Sequence, residues 1–152
     1  MVKIYDIYEP YLTGKDSHGS TLTELPDGRI MVVWYSGTAE KHKDVGIFQS
    51  FFDRKTEKWT APELLEKESQ TKSEGNPVIY YDEPTKRLWL FWVTMDRADA
   101  KWLKGGWSTC KMKCKHSDDV GKTWTPARYL TKTWGKMVRN KRISMSNGNV
   151  LL

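Results

Sequence analysis

The feature that most constrains the fold of this chain is an internal repeat of about 58 to 62 residues. Segment 25–37, LPDGRIMVVWYSG, resembles segment 83–94, EPTKRLWLFWVT, and the apolar run of each contains a tryptophan, Trp34 or Trp92. A third copy begins in segment 145–152, MSNGNVLL. The Asp-Gly and Asn-Gly turns are typical of β-hairpins, so each copy predicts an antiparallel pair of strands.

The segments that follow these hairpins also repeat. Residues 45–65 match residues 110–130: each has an alternating strand, a turn, a Trp-Thr pair with a proline close behind, and a short apolar strand. Helical periodicity is not evident. The unit therefore has four strands, predicted at 18–25, 29–35, 45–52 and 59–66 in the first copy and at 75–81, 87–94, 107–116 and 124–131 in the second.

Repeated four-stranded antiparallel sheets are the unit of a β-propeller, so the predicted fold class is all-β. The blades are expected at about 16–66 and 75–131, with the start of a third at 138–152, in one partial domain over 1–152. The main alternative, an immunoglobulin-like sandwich, explains the alternation and the turns but not the repeat.

Only about two and a half blades fit in the chain, and a closed propeller needs at least about four. The chain is therefore expected to be the N-terminal part of a longer protein or a truncated product. Its open blade edges would expose unpaired strands, which predicts self-association through these edges.

The stretch HSDDVGKTWTPARYL, residues 116–130, occupies the turn between the third and fourth strands of the second copy. Ser117 and Asp119 can accept backbone N–H groups, Gly121 allows positive φ, and Trp124 can pack between sheets. These roles predict a structural hairpin lock, remote from any ligand. The first copy is interpreted as a decayed form with two extra residues and no glycine, built on Ser50, Asp53 and Trp59.

Cysteine use and charge narrow the chemistry. Cys110 and Cys114 would lie about 13 Å apart on one strand, too far for a disulfide. One CxxxC without a second pair is a poor zinc motif, so no metal and no cofactor is expected. The net charge of +6 predicts either a solvated basic surface or attraction to an acidic ligand. The basic residues are scattered and carry no nucleic-acid-binding motif, so no nucleic acid partner is expected.

The N-terminus, MVKIYDIYEP, has no apolar core of a signal peptide. No apolar run approaches the roughly 20 residues that span a bilayer, so no membrane partner is expected. With free thiols, these features predict a cytoplasmic protein.

The pattern S-x-D-x-G-x-T-W, here Ser117 to Trp124, resembles the Asp-box of the sialidase (neuraminidase) superfamily, also called the BNR repeat. The segments HGSTLTELPDGRIMVVWYSG, GNPVIYYD and RLWLFWV precede it in the order expected of that family, so the resemblance extends from about residue 16 to 152. It implies a six-bladed propeller that binds a glycan at its central mouth, with an acidic sugar as a candidate ligand. It also implies glycoside hydrolase activity of the exo-α-sialidase type, or, as the alternative, a non-catalytic glycan-binding or scaffold propeller.

The resemblance further implies an arginine cluster, an acid/base Asp and a Tyr nucleophile paired with Glu, mostly in the second half of the fold. Where the first arginine is expected, this chain has His18, which can bind a hydroxyl or carboxylate, act as a base, or be a plain turn residue. The acid/base loop corresponds to residues 36–44, with Glu40 and Asp44 as candidates. Glu40 is preferred as the catalytic group because Asp44 can cap the next strand, and Asp44 is retained as a candidate substrate-binding residue.

Candidate substrate-binding residues open the later innermost strands. Asn76 matches an Asn-Pro at the sugar site, and Asn140 and Lys141 would face the same mouth, with Lys141 or Arg139 neutralising an acidic sugar. Each could instead be a turn or exposed strand residue. Because innermost strands run parallel around the axis, His18, Glu40, Asn76 and Lys141 are expected on one face.

The tryptophans of the loop 95–107, Trp102 and Trp107, could line that face or pack against strands. Since the later arginines and the Tyr nucleophile are not in the sequence, the chain alone is expected to be inactive as a sialidase.

Overall fold

The computed structural model describes residues 2–96, 106–147 and 149–151. The first sheet is antiparallel in the order β1-β2-β3, and two short strands both pair with β3 at its outer edge. Its strands are β1 (Asp16–Glu24), β2 (Ile30–Gly37), β3 (Gly46–Asp53), β4 (Lys58–Trp59) and β5 (Glu63–Glu66).

The second sheet repeats this order and has four antiparallel strands. They are β6 (Ser73–Asp82), β7 (Arg87–Met95), β8 (Cys110–Ser117) and β9 (Arg128–Tyr129), with a 3₁₀ turn at Gly106–Thr109 before β8. The third copy contributes one hairpin of β10 (Ile143–Ser144) and β11 (Val150–Leu151). The predicted four-strand unit and the all-β class are confirmed.

The fourth strands are shorter than predicted. In both copies the Thr after Trp donates its N–H to the third strand, from Thr60 to Phe51 and from Thr125 to His116. A proline, Pro62 or Pro126, then lacks the N–H that would continue the ladder. The prediction that the third strand of the second copy begins at residue 107 is also wrong, because that segment forms the 3₁₀ turn.

The main core lies between the two sheets. Alternation along each strand directs one set of apolar side chains toward the neighbouring sheet. Val33 and Ile47 of the first sheet meet Ile79, Leu90 and Trp92 of the second, and all five are fully buried. The two units therefore pack face to face as successive blades, with Tyr81 and Trp124 half-buried at the border of this core.

The outer faces of the two sheets are covered differently. Trp34 is equivalent to Trp92 and points away from the second sheet, where Tyr8 of the N-terminal segment stacks on it at 5.0 Å between ring centroids. On the far side of the second sheet, Val138 of the third copy packs against Val78 and Phe91. The outer face of each of the first two sheets thus contacts a segment from outside that sheet.

Cys110 and Cys114 are free and lie on one strand, β8, as predicted, and both are buried. Within the described ranges, no helix has the length and apolarity needed to cross a membrane.

Candidate functional site

One end of the two sheets gathers the beginnings of the innermost strands. Asp16 of β1 pairs with Gly37 at the end of β2, and Ser73 of β6 pairs with Met95 at the end of β7. The loop of residues 38–45 returns to this same end. We call this end of the sheets the mouth face.

Both innermost strands carry a β-bulge near the mouth face. The pairing of β1 with β2 skips residues 19–20, and that of β6 with β7 skips residues 76–77. The first bulge residue has a left-handed backbone in each strand, with φ of +59° at Gly19 and +43° at Asn76. Asn76 is therefore equivalent to Gly19. The sequence prediction treated Asn76 as the counterpart of His18, but the residue equivalent to His18 is Gly75.

Glycine is required at position 19 for two reasons. Its φ is positive, and a Cβ added there would lie 2.7 Å from Cε1 of Tyr35. The Asn76 Oδ1 atom lies 3.8 Å from the same Cβ position, so the two bulges approach each other closely. Asparagine tolerates the left-handed region better than most residues, which explains its use at the second bulge.

The two bulges form the walls of a cavity of about 190 Å³. Its lining residues are Gly19, Ser20, Thr21, Asn76, Pro77 and Arg139. Arg139 is exposed and forms no ion pair with any described residue, while the Asn76 amide makes a weak contact with Met137 Sδ at 3.6 Å. The cavity thus offers a cation, an amide and hydroxyls, which are groups able to bind hydroxyls and a carboxylate.

Tyr35 connects the other predicted residues at this end. Its ring stacks on His18 at 5.6 Å between centroids, and its hydroxyl donates to Glu40 Oε1 at 3.3 Å. Burial, with the nearby Glu40 carboxylate, raises the pKa of Tyr35 to about 12, and the charge of Arg139 opposes that rise. His18, Glu40, Asn76 and Arg139 therefore lie around Tyr35 and Gly19.

The sequence prediction missed Tyr35. A tyrosine at the mouth end of an apolar strand, one residue from the following polar loop, is a signal that could have identified it.

Asp44 has a local structural role. Its carboxylate accepts the N–H and the hydroxyl of Thr38 and forms an ion pair with His42 at 2.8 Å, which closes the loop 38–44. Burial alone would raise the pKa of this carboxyl, but the bonds from Thr38 and His42 lower it below its ordinary value. These bonds occupy both carboxylate oxygens.

Asn140 and Lys141 are exposed and do not line the 190 Å³ cavity, whereas their neighbour Arg139 does. The next residue, Arg142, is largely buried, pairs with the buried carboxylate of Asp82 and is unavailable to a ligand.

Trp107 is half-buried and packs at the mouth face. It meets the Tyr35 ring edge-on at 6.1 Å and lies over Gly75, where an added Cβ would be 2.7 Å from the indole. This is the strand-packing role. Trp102, the other tryptophan considered from the sequence, lies outside the described residues.

The Asp-box hairpin lies at the opposite end of β8 from the mouth face. Ser117 Oγ donates to Asp119 Oδ1 at 2.7 Å and accepts the N–H of Gly121 at 2.8 Å. Asp119 accepts the hydroxyl and the N–H of Thr123, and these bonds lower its pKa to about 2. The predicted hydrogen bonds of Asp119 within its own turn are confirmed, although Trp124 is half-buried rather than buried.

The first-copy hairpin aligns differently from the prediction. In Phe51–Thr60 and His116–Thr125 alike, the first residue donates its N–H to the threonine hydroxyl nine positions later, at 3.0 Å. Phe52 therefore occupies the position of Ser117. The expected match of Ser50 to that serine, with two extra residues in the turn, is wrong.

Residues 28–152 match the model of the protein family described as BNR repeat-like domain. The chain belongs to this family. Among curated proteins, no relative of this BNR repeat-like protein matches significantly.

Solved structures similar to this BNR repeat-like protein include two sialidases and an endo-arabinase. The Hadza microbial sialidase Hz136 superposes with a TM-score of 0.64 at 16% identity, covering 79% of this chain and 27% of that one. The NanB sialidase from Streptococcus pneumoniae gives 0.65 at 9% identity, covering 85% and 38%. The endo-arabinase from Bacteroides thetaiotaomicron gives 0.55 at 15%, covering 88% and 49%. At these identities the likeness establishes the β-propeller fold, and the chain spans under half the length of each of these proteins.

Proposed function

We propose that this protein recognises a glycan that ends in an acidic sugar, in the manner of a sialidase-like glycoside hydrolase, through the cavity between its two innermost strands. The observation that carries the proposal is the joint lining of that cavity by Arg139, Asn76 and the Gly19-Ser20 bulge. Its family membership and the sialidases among similar structures support the same class of ligand.

In this proposal Arg139 binds the sugar carboxylate, since a guanidinium can bind both carboxylate oxygens at once. Asn76 and Ser20 bind hydroxyl groups, and His18 borders the site on its stack with Tyr35. Glu40 is the candidate proton donor, because it is the carboxyl group held beside Tyr35 at the mouth face.

For the chain by itself we propose that it binds the glycan and does not hydrolyse it. Glu40 is exposed to solvent, and Asp44 is bound to Thr38 within its own loop, so neither carboxyl of the isolated chain lies in the water-excluded setting of a general acid. Among the described residues, Arg139 is the one arginine that lines the cavity. This arrangement favours the non-catalytic glycan-binding alternative for the isolated chain.

The test is titration of the purified chain with N-acetylneuraminic acid by calorimetry, together with hydrolysis of a fluorogenic sialoside. We expect saturable binding and no turnover. Arg139→Gln should weaken binding at least about tenfold, because a hydrogen bond to a charged group contributes about 1.5–3 kcal/mol.

Lys141→Gln is the matched control, since it removes one exposed positive charge two residues away without touching the cavity. We expect unchanged affinity in this variant. Equal weakening by the two substitutions would contradict the assignment to Arg139, and turnover by the chain alone would contradict the binding-only activity.

A further inference from the structure

Positive charge is concentrated at one end of the sequence. Residues 120–152 contain seven Lys and Arg and no Asp or Glu, whereas residues 1–119 contain 18 Lys and Arg against 19 Asp and Glu. The net charge of +6 therefore arises entirely in the C-terminal stretch.

The fold leads part of this stretch across the mouth face. After β9, Gly135 donates its N–H to Cys110 O at 3.1 Å, and Cys110 Sγ contacts Lys136 O at 3.2 Å. Cys110 pairs with Met95 and so marks the mouth end of β8. The segment then reaches Arg139 at the cavity. Residues 128–139 thus run from the outer edge of the second sheet to the proposed sugar site.

Four basic residues follow this path, and we call them the basic strip: Arg128, Lys132, Lys136 and Arg139. All four are exposed, and none forms an ion pair with any described residue. Lysines of the neighbouring strand differ, since Lys113 and Lys115 are buried against Glu68 and Glu66. The charges of the basic strip are therefore available to a ligand.

Two carboxylates that this path contacts are already paired with lysines. Glu68 accepts the hydroxyl of Tyr129 and pairs with Lys72 and Lys113. Asp96 accepts the indole N–H of Trp134 and pairs with Lys111 and Lys72. Both negative charges are offset within the protein, so the charges of the basic strip are not neutralised by them.

We propose that the basic strip binds a polyanionic glycan, a linear chain with one carboxylate on each sugar, whose terminal sugar occupies the cavity at Arg139. The basic residues recur every three or four positions along a segment that turns at residues 133–135. Such repeated charges match an anion repeated along a polymer better than a single acidic group. The inference rests on the proposed function, because the cavity with its amide and hydroxyl groups favours a glycan over other polyanions.

The test compares the affinity of the chain for three probes at low ionic strength. They are N-acetylneuraminic acid, a short α2,8-linked oligomer of it, and a single-stranded oligodeoxynucleotide of the same charge. We expect the oligomer to bind more tightly than the monomer and than the oligodeoxynucleotide. The gain over the monomer should decline as salt is added, since exposed charges are screened.

Paired variants locate the effect. Lys132→Gln with Lys136→Gln should weaken oligomer binding roughly fivefold, because each exposed charge pair contributes about two- to threefold, and should leave monomer binding unchanged. Lys55→Gln with Lys58→Gln removes the same charge from exposed lysines of the hairpin opposite the mouth face, and should change neither.

Several results would overturn the inference. Equal weakening by both double variants would mean that net charge alone acts, and tighter binding of the oligodeoxynucleotide would identify a nucleic acid surface. Monomer binding without a gain for the oligomer would overturn this inference and leave the proposed function standing. If neither sugar probe binds, the proposed function fails as well.

Discussion

Replacing Ser117 by alanine tests whether the Asp-box is a structural lock. Ser117 is 1% exposed, and its hydroxyl donates to Asp119 while accepting the N–H groups of Gly121 and Asp119. Alanine leaves the buried N–H of Gly121 without a partner, which costs about 1–3 kcal/mol. For a domain of this size that loss lowers Tm by about 2–4 °C for each kcal/mol.

The assay is urea unfolding followed by tryptophan fluorescence, with sugar affinity measured in parallel. We expect a lower unfolding midpoint, an unchanged slope and unchanged affinity, because the hairpin lies opposite the mouth face. Ser146→Ala is the control: Ser146 is exposed and makes no hydrogen bond with another described residue. Wild-type stability combined with altered sugar binding in Ser117→Ala would refute the structural role.

Three further predictions concern stability. Gly19→Ala should destabilise the fold more than Gly28→Ala, since both have positive φ but only Gly19 has Tyr35 within 4 Å of the added Cβ; equal losses in thermal unfolding would contradict that contact. Burial raises the pKa of Glu74 above its ordinary 4.5, so the wild-type protein loses stability as pH rises above about that value, whereas Glu74→Gln does not. The stability of Glu74→Gln relative to wild type should therefore increase with pH. A difference in urea unfolding that does not change with pH would argue against this. The pKa of Asp119 is lowered to about 2, so its stabilisation should be full above about pH 4 and be lost as pH falls toward 2; acid unfolding of Asp119→Asn beside wild type measures this, and parallel curves would count against it.

The repeat was sufficient to predict the blades. Trp34 and Trp92 occur at the same place in two copies, and they are equivalent in the paired strands as well. Strand alternation survives sequence divergence because each blade must bury a face against its neighbour. The fourth strands are not continuous, because the proline after each Trp-Thr pair lacks the N–H that the ladder needs there, and pairing resumes only in the short strands β5 and β9.

The site was harder to predict because a β-bulge shifts register without changing composition. Alternation gives no sign that Asn76 corresponds to Gly19, a match that depends on left-handed backbone at both residues. The choice between Arg139 and Lys141 depends on which of two nearby residues reaches the cavity, and adjacent positions in an irregular segment carry no periodic signal. Describing the basic residues as scattered also missed that no Asp or Glu follows residue 119, so that the positive charge after it is not offset.

The most direct test of the central claim is a crystal structure of the chain soaked with N-acetylneuraminic acid. The account predicts the sugar in the cavity between the two bulges, with its carboxylate against the Arg139 guanidinium and a hydroxyl within hydrogen-bond distance of the Asn76 amide. A sugar bound elsewhere on the protein, or a cavity left empty under conditions where calorimetry shows saturation, would contradict it.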